Sequence, residues 1–581
     1  MNIKKYIIYG LAAMVGITIH SCNVLDVDPL DQYTDAAVWS DLILVEAYLN
    51  TSYSRVTPEV QKGSRFASLT DEMHQRHLYG TDQFLQGRWS PDFAYFGWDQ
   101  DNGNTAWTYF YRAIKELNNF FDNIDKTPTP YSGDDAWKQR LIGEATFLRA
   151  YFYHVLFSYY GRVPIITSVH EVTTPTEDYT ETRAPIEEVC AFIVSECDKA
   201  IAILPTTYPA AQLGRATKGA AMAVKCRTLL YAASPLFGTP SAAKWQAASD
   251  AHKALIDLGV YSLSPVANSN QYAALFTTNT NPETIFQKLF DQRRTVGNNQ
   301  IYTHQTPAGP GNGFGGWGTH APTHNIVCKF QMADGTPYVP SNDTTAYPWA
   351  NRDLRLKGTV LLDGERWGYT GTTRREIEFW VSEDSINGWQ NATTGALIQG
   401  RDSEGPGAPG WWNAPYTSYL QRKFLGDSTY DNTNSAARWA GPGIIFRMAE
   451  FYLNYAECQI ELGNNAEALK YINMVRERAL MPPATGADIR AEYEYERQIE
   501  LVFEGQRWFD IRRWMTAESV INNEPIWGLR IRRFKDGSKS YTVKPEVIQE
   551  RRFVAPENYW VPIPRSELNR TRHIDALPYT R

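Results

Sequence analysis

The sequence has few cysteines, and none of them is spaced as a metal or redox motif requires. Six occur among 581 residues, and no two form a Cys-x-x-Cys motif, which excludes a zinc ribbon or a thioredoxin-type centre. Cys190 and Cys197 lie on one predicted helix, about 10 Å apart along its axis at ~1.5 Å per residue. That separation is too long for a disulfide within a straight helix. We therefore expect the five internal cysteines to be small buried side chains.

The sequence also lacks a concentration of positive charge. Its formal net charge is −7, and its arginine pairs at residues 293–294, 532–533 and 551–552 are short and separated. A protein that binds nucleic acid needs a continuous basic face, so we expect no nucleic-acid partner. With 43% hydrophobic and 21% charged residues, the composition is that of a folded globular chain.

Motifs of catalytic and metal centres are missing as well. No Gly-x-Ser-x-Gly nucleophile elbow and no His-Glu-x-x-His zinc motif stands out. His74 with His77, or His320 with His324, could share a helix face, but a third metal ligand is not evident. Isolated histidines of this kind are more often hydrogen-bonding or stacking groups.

Three aspartates near the N-terminus resemble a calcium loop only superficially. Asp26, Asp28 and Asp31 have the alternating spacing of such ligands. The positions of the EF-hand glycine and glutamate, however, hold Asp31 and Ala37. We therefore expect no cofactor and no bound metal, and a structural calcium ion has no motif to support it.

Residues 1–21 have the pattern of an export signal. Two lysines precede an uncharged, mostly apolar run over residues 6–19, and a small residue stands directly before Cys22. In a lipobox this cysteine is acylated, so Cys22 is the predicted lipid attachment site, although His20 departs from the usual small or aliphatic residue. The alternative is a plain signal peptide with a chance cysteine. No later segment is long and apolar enough to span a bilayer, so lipid alone would hold the protein at a membrane.

Apolar residues recur at spacings of three and four on both sides of a central region, which predicts helices. The predicted ranges are 105–160 with a break at 127–130, 186–203, 218–233, 245–258, 444–461 and 466–480. A further helical stretch carries Glu492, Glu494 and Glu496, which we expect to form a solvated face. Gly463, Ala468 and Tyr471 stand where a tetratricopeptide repeat has its turn glycine, its small interhelix residue and its aromatic residue. Such helix pairs cannot bury their apolar faces alone, so several must stack.

The central region, residues 261–440, differs in character. It is rich in Gly, Pro, Asn, Thr and aromatic residues and has weak periodicity. Ordered loops of such length are usually functional, and the Trp and Phe content argues against disorder. The expected fold is therefore mainly α: a tetratricopeptide-like helical repeat scaffold with a large irregular, loop-rich lobe.

Short motifs occur in a defined order along almost the whole chain. They are CNVLDVDP at 22–29, GEATFLRAYFY at 143–153, YGRVP at 160–164, RATKGA at 215–220, RMAE at 447–450, LNYAE at 453–457, FEGQRWFDIRRW at 503–514 and PIP at 562–564. In this order they resemble the SusD/RagB family of Bacteroidetes outer-membrane nutrient-binding lipoproteins. The usual Asn-Pro-Gly-Tyr ending is degraded here to Ala-Leu-Pro-Tyr at 576–579.

The resemblance implies a division of the chain and a function. Residues 1–21 would be the signal peptide, 22–260 an N-terminal helical region, 261–440 the ligand-facing lobe and 441–581 the C-terminal helical region. It implies a non-catalytic lipoprotein at the surface of the outer membrane. Such a protein captures oligo- or polysaccharide and delivers it to a SusC-like TonB-dependent β-barrel transporter.

Two alternatives to glycan capture stay open from the sequence. A peptide-binding importer subunit of RagB type would have the same scaffold. A secreted glycosidase would need two carboxylates that face each other across a bond. Asp99, Asp101 and Asp291 are among many acids, but sequence spacing cannot establish such a pair.

The ligand site is expected among the aromatic residues, of which the chain has 18 Trp, 34 Tyr and 25 Phe. The apolar faces of sugar rings stack on flat exposed rings. The resemblance assigns no ligand site, and for each ring packing in the core is the alternative. The carbohydrate-binding candidates are Trp89, Phe96, Trp98, Phe314, Trp317, Trp411 and Trp412. Trp411 and Trp412 are neighbours, so in an extended segment they would face opposite sides.

Overall fold

The computed structural model describes most of the chain. The described residues are 35–58, 65–76, 82–93, 105–170, 180–290, 316–340, 345, 347–368, 374–382, 398–404, 408, 413–426, 441–545, 548–571 and 573–574. The predicted signal peptide and Cys22 lie outside them. Within these ranges, no helix combines the length and the apolar character needed to cross a membrane.

Helices form most of the regular structure in the described ranges. The first nine are α1 (Asp35–Val38), α2 (Leu42–Ser54), α3 (Arg65–Ser68), α4 (Asp82–Leu85), α5 (Ala106–Asn123), α6 (Asp134–Tyr160), α7 (Ile186–Ile203), α8 (Lys218–Ala233) and α9 (Ala242–Asp257). The others are α10 (Ser269–Ala274), α11 (His324–Lys329), α12 (Leu354–Thr359), α13 (Met448–Glu461), α14 (Asn465–Arg478), α15 (Ile489–Glu500), α16 (Gln506–Arg513), α17 (Ala517–Asn523) and α18 (Arg565–Arg570).

The long helices stack one on the next. Helix α5 packs against α6, α6 against α7, α7 against α8 and α8 against α9. Their starts are fixed by hydroxyl caps: the side chains of Thr105, Thr217 and Ser241 each accept a hydrogen bond from the amide three residues ahead. The predicted helices 186–203 and 218–233 are confirmed at both ends.

The stack continues across the irregular lobe. Helix α9 packs directly on α13, and α13 packs on α14 and α15, although residues 258–447 separate α9 from α13. The predicted repeat signature is confirmed at the α13–α14 turn. Gly463 has φ +79°, a left-handed conformation that glycine adopts without strain. Ala468 is buried, and the Tyr471 ring lies 4.8 Å from that of Tyr455.

The strands are short. They are β1 (Met73–Gln75), β2 (Thr284–Lys288), β3 (His320–Pro322), β4 (Val360–Leu361), β5 (Arg366–Trp367), β6 (Arg375–Glu376), β7 (Val381–Ser382), β8 (Leu420–Gln421), β9 (Gly443–Arg447), β10 (Leu529–Arg533) and β11 (Lys539–Val543). Antiparallel pairs are β1–β3, β2–β9, β4–β8, β5–β6 and β10–β11, and β7 joins β10 in parallel.

The predicted start of the α13 helix at residue 444 was wrong. Residues Ile444 and Ile445 belong to β9, which pairs with β2, and the helix begins only at Met448. Both residues are β-branched, which suits a strand, and the pairing with β2 supplies the partner for their backbone groups. The β2–β9 pair thereby brings together the two ends of the chain segment that forms the irregular lobe.

Two hydrophobic cores underlie this architecture. The first follows the helix stack from α2 to α16. The second contains aromatic and aliphatic residues of the irregular lobe, among them Tyr272, Trp349 and Tyr419, together with Phe503 after α15. Of the internal cysteines, four are buried as expected, and Cys328 is partly exposed.

A buried ion network joins the irregular lobe to the helix stack. The carboxylate of Glu500 contacts Arg355 at 3.0 Å and Arg447 at 2.7 Å, and it also pairs with Arg478. Arg355 in addition contacts Asp353 at 2.8 Å and Glu496 at 2.5 Å. Burial opposes ionisation of Glu500, but the three arginines lower its pKa below the usual range.

The same network corrects an expectation from the sequence. Glu496 is buried between Arg355 and Arg476 and is not part of a solvated face. Its helix neighbours Glu492 and Glu494 are only partly buried.

We predict that Arg355→Met destabilises the fold by about 3–5 kcal/mol, since it leaves three buried carboxylates without a shared cation. The check is chemical denaturation followed by circular dichroism. Lys253→Met is the control, because Lys253 pairs with Asp257 in solvent and exposed ion pairs contribute little to stability. Equal losses for the two variants would contradict the structural role assigned to the network.

Buried histidines give a second prediction, on pH. Burial lowers the pKa of His154 to about 3 and that of His252 to about 4. Below about pH 6.5 the unfolded chain therefore binds protons that these folded histidines do not, and stability falls as pH drops. Each contributes a slope of ~1.4 kcal/mol per pH unit across that window.

His154→Gln and His252→Gln should each flatten the fall of the melting temperature between about pH 6 and pH 4.5. Thermal melts of the two variants and the unmodified protein over this range provide the measurement. Curves that run parallel to that of the unmodified protein would show that these histidines are protonated in the folded state.

Candidate functional site

Of the aromatic candidates, Trp89 packs against the first core. Its ring stacks on Trp508 at a centroid distance of 6.3 Å and contacts Phe84 at 4.8 Å. Its indole N–H donates a hydrogen bond to the carbonyl of Phe84. Packing in the core therefore accounts for the half-buried ring of Trp89. Such packing is the alternative that the sequence left open for each candidate.

Trp317, in contrast, is exposed over 41% of its surface. It precedes Gly318, whose φ of +57° interrupts the extended backbone just before β3. The other predicted rings, Phe96, Trp98, Phe314, Trp411 and Trp412, lie outside the described residues, as do Asp99, Asp101 and Asp291.

An arginine and a tyrosine lie beside the segment that carries Trp317. Arg76 follows β1, and its amide donates a hydrogen bond of 2.8 Å to the carbonyl of Thr319. Its guanidinium lies over the ring of Tyr416, with the carbon 4.1 Å from the ring centroid, and donates to the carbonyl of Ala414. Tyr416 is itself 39% exposed. We call Arg76, Trp317 and Tyr416 the aromatic–arginine surface.

Charged side chains hydrogen-bond to backbone carbonyls next to this surface. Lys544 donates to the carbonyl of Tyr416 and pairs with Glu404, and Arg551 donates to the carbonyl of Met73. Burial and the charges of Arg551, Arg76 and Lys544 lower the pKa of His74 to about 3. His74 is therefore neutral at neutral pH, and the positive charge near the surface resides on the arginines and the lysine.

This arrangement is suited to binding and not to proton transfer. Trp317 and the part of the Tyr416 ring that Arg76 does not cover offer apolar surface, and the guanidinium over Tyr416 offers hydrogen-bond donors. The surface rests on β1, β3 and the buried Lys544, so its geometry is held by backbone pairing.

Arg76 and Tyr416 were not among the residues predicted from the sequence. The two are separated by 340 positions, and neither belongs to a motif or to a periodic pattern. Tyr416 does lie in the predicted ligand-facing lobe, four residues after Trp412. Its position in that lobe is the one feature of the sequence that indicated a role in binding for either residue.

Of the histidines considered as metal ligands, His77 lies outside the described residues, and His320 and His324 do not share a helix face. His74 lies in β1 and His320 in β3, where His320 pairs with Gln75, while His324 begins α11. The Nδ1 atom of His324 is hydrogen-bonded to the hydroxyl of Tyr419 at 2.8 Å. In the part of the chain that the structure describes, no three His, Cys, Asp or Glu residues are grouped as metal ligands.

An adjacent pair of acids, Asp71 and Glu72, has the separated pKa values that acid–base catalysis uses. Despite burial, Arg507 and Lys329 lower the pKa of Asp71, whereas burial and the charge of Asp71 raise that of Glu72 to about 8. Glu72, however, is only 1% exposed, and the interior space that it lines has no measurable free volume. In the described residues this pair is therefore enclosed, and Asp71 is held there by Arg507 and Lys329.

Comparison with known proteins identifies relatives over nearly the full length. Residues 282–579 match the sequence profile of the SusD family, and residues 26–230 match a profile described as starch-binding and associating with the outer membrane. A SusD-like protein of Formosa agariphila is 22% identical over 547 residues, which are 88% of this chain and 91% of that protein.

Solved structures show the same fold. A SusD-like protein of Bacteroides fragilis superposes with a TM-score of 0.75 at 25% identity and covers 94% of this chain and 99% of its own. A SusD-like carbohydrate-binding protein of the same species has a TM-score of 0.71 at 25% identity, with coverages of 93% and 100%.

Proposed function

Because the chain belongs to the SusD family, we propose that it captures oligo- or polysaccharide at the cell surface without cutting it. The observation that carries this proposal is the aromatic–arginine surface: the Arg76 guanidinium lies over the exposed Tyr416, and the Arg76 amide pairs with Thr319, two residues after the exposed Trp317. The relative described as carbohydrate-binding, which has the same fold, supports the same ligand class.

The chemistry of the surface fits a sugar better than a reacting bond. Axial C–H groups of a pyranose pack on an aromatic face, and hydroxyls accept hydrogen bonds from a guanidinium. Hydrolysis would instead require a carboxyl with a raised pKa within reach of the ligand. Among the described residues, burial raises the pKa of two acids, Glu72 and Asp363, and both are enclosed in the interior.

Delivery to a transporter completes the proposal. We propose that the bound glycan passes to a SusC-like TonB-dependent β-barrel in the outer membrane. The protein would be held there by a lipid on Cys22. The match to a profile described as associating with the outer membrane supports this location. In this proposal the helix stack would face the barrel.

We predict that Trp317→Ala and Tyr416→Ala each weaken oligosaccharide binding by about tenfold, because each removes one stacking face. Isothermal titration calorimetry with neutral oligosaccharides, acidic oligosaccharides and peptides provides the measurement. Product analysis of the same samples tests for cleavage. Tyr131→Ala is the matched control, since Tyr131 is 78% exposed before α6 and distant in sequence from the surface.

Three results would overturn the proposal. Tight binding of peptides with no binding of sugars would favour the importer of RagB type. New reducing ends in the samples would favour a glycosidase. An equal loss of affinity in Tyr131→Ala and in the two surface variants would show that glycan binding does not depend on this surface.

We predict that Cys22→Ala abolishes acylation and releases the protein from the membrane fraction. Metabolic labelling with a fatty acid and cell fractionation in the native host provide the measurements. Cys328→Ala is the control, because Cys328 is an internal thiol next to His324 and should not affect labelling. Continued labelling of Cys22→Ala would rule out this cysteine as the anchor.

A further inference from the structure

A second surface feature of the irregular lobe is a pocket with several cations. It has a volume of about 320 Å³ and is lined by residues of two short antiparallel strand pairs, β4–β8 and β5–β6, and by α12. Its cationic side chains are Lys357, Arg366, Arg374 and Arg422, and its one acidic lining residue in the described ranges is Glu365.

The charge of this pocket is opposite to that of the chain. Four cations face one carboxylate, an excess of three positive charges in a protein whose formal net charge is −7. Hydrogen bonds from Lys357 and Tyr347 and the charge of Arg422 outweigh burial and lower the pKa of Glu365, so this acid stays ionised and is already engaged. Such a concentration of like charges destabilises a fold unless an anion neutralises it.

Two of the cations are held in place by the protein. Arg422 follows β8, and its guanidinium donates to the carbonyl of Lys357 at 2.6 Å and to the side-chain oxygen of Asn270 at 2.5 Å. Lys357 pairs with Glu365 at 2.8 Å. These contacts fix one wall of the pocket.

The other two cations are exposed and pair with no carboxylate among the described residues. Arg366 donates only a long hydrogen bond of 3.5 Å to the carbonyl of Arg374. Each guanidinium group can bind an oxyanion through two parallel hydrogen bonds. They contribute no ion pair to stability, which makes them available to a ligand.

An aromatic ring lies at the rim of the pocket. Tyr347 is 37% exposed, and its hydroxyl donates to Glu365 at 2.8 Å. A side-chain carbon built on Gly364, which lines the pocket, would lie 3.6 Å from this ring. A flat apolar face therefore adjoins the cationic groups, as recognition of a charged sugar requires.

We propose that this pocket binds the oxyanion of an acidic sugar, a uronate carboxylate or a sulfate ester, with Arg366 and Arg374 as the charged contacts and Tyr347 under the ring. The inference rests on the proposed capture of glycans and narrows the ligand to an anionic saccharide. The pocket and two residues of the aromatic–arginine surface, Trp317 and Tyr416, belong to the irregular lobe.

The test compares three ligands by calorimetry at low and high salt: oligogalacturonate, a sulfated galactan oligosaccharide and a neutral oligosaccharide of equal length. We expect an acidic ligand to bind at least about tenfold more tightly than the neutral one at low salt. The preference should shrink at high salt, because salt screens exposed charges. Which acidic ligand binds distinguishes the carboxylate from the sulfate ester.

The variant with Arg366→Gln and Arg374→Gln should lose this preference while its binding of the neutral oligosaccharide is unchanged. Arg401→Gln is the matched control, because Arg401 is an exposed arginine of the same lobe that does not line the pocket. Circular dichroism confirms that each variant is folded.

The outcomes separate this inference from the proposed function. Binding of neutral and acidic sugars with equal affinity, or an acidic preference that survives in the double variant, overturns the pocket assignment and leaves glycan capture intact. Inorganic sulfate that binds as tightly as the sulfated oligosaccharide also overturns it, since the sugar would then contribute nothing. Absence of binding to any sugar overturns both proposals.

Discussion

The arrangement of this protein depends on the carboxylate of Glu500, which is buried among three arginines from different parts of the chain. Arg355 comes from the irregular lobe, Arg447 from the strand that closes that lobe, and Arg478 from the helix stack. Hydrophobic contacts have no preferred direction, so they alone would allow the lobe to slide on the helix stack. Charge-assisted hydrogen bonds have directions, and leaving any one of these ions unpaired in the interior costs several kcal/mol. We infer that the network fixes the orientation of the lobe on the helices.

A fixed lobe matters because the ligand surfaces lie on it. Stacking sites gain affinity when their rings need not be ordered on binding. The second core places Tyr416 three residues from the buried Tyr419, whose ring contacts Trp349 at 5.6 Å. Tyr347 in turn contacts Trp349 at 6.2 Å. Buried rings thus support exposed ones.

Local patterns in the sequence predicted local structure well. Helices 186–203 and 218–233 were predicted to the residue, because prolines and a threonine cap mark their ends and no distant contact overrides them. The errors came from distant partners. Ile445 has helical spacing to Met448, yet pairing with β2, far upstream in the sequence, places it in a strand. The sequence indicates a surface position for Glu496. The fold, however, brings Arg355, 141 positions away, into contact with it. Arg76 and Tyr416 are likewise distant in sequence and come into contact only in the folded chain. The composition could therefore indicate the irregular lobe but not the contact between these two residues.

The distribution of arginines separates structure from function in this molecule. In the interior, Arg355, Arg447 and Arg478 each contact carboxylates, as burial of a charge demands. On the surface of the lobe, Arg366 and Arg374 form no ion pair within the described ranges, although Glu376 stands opposite Arg366 in the β5–β6 pair. Water can solvate an exposed arginine, so lack of a partner alone carries no cost. Their convergence on one concave site does carry a cost in mutual repulsion, and neither arginine pairs with a carboxylate in the part of the lobe that the structure describes. A feature that weakens the fold without a structural reason is best explained by what it binds, here an anion.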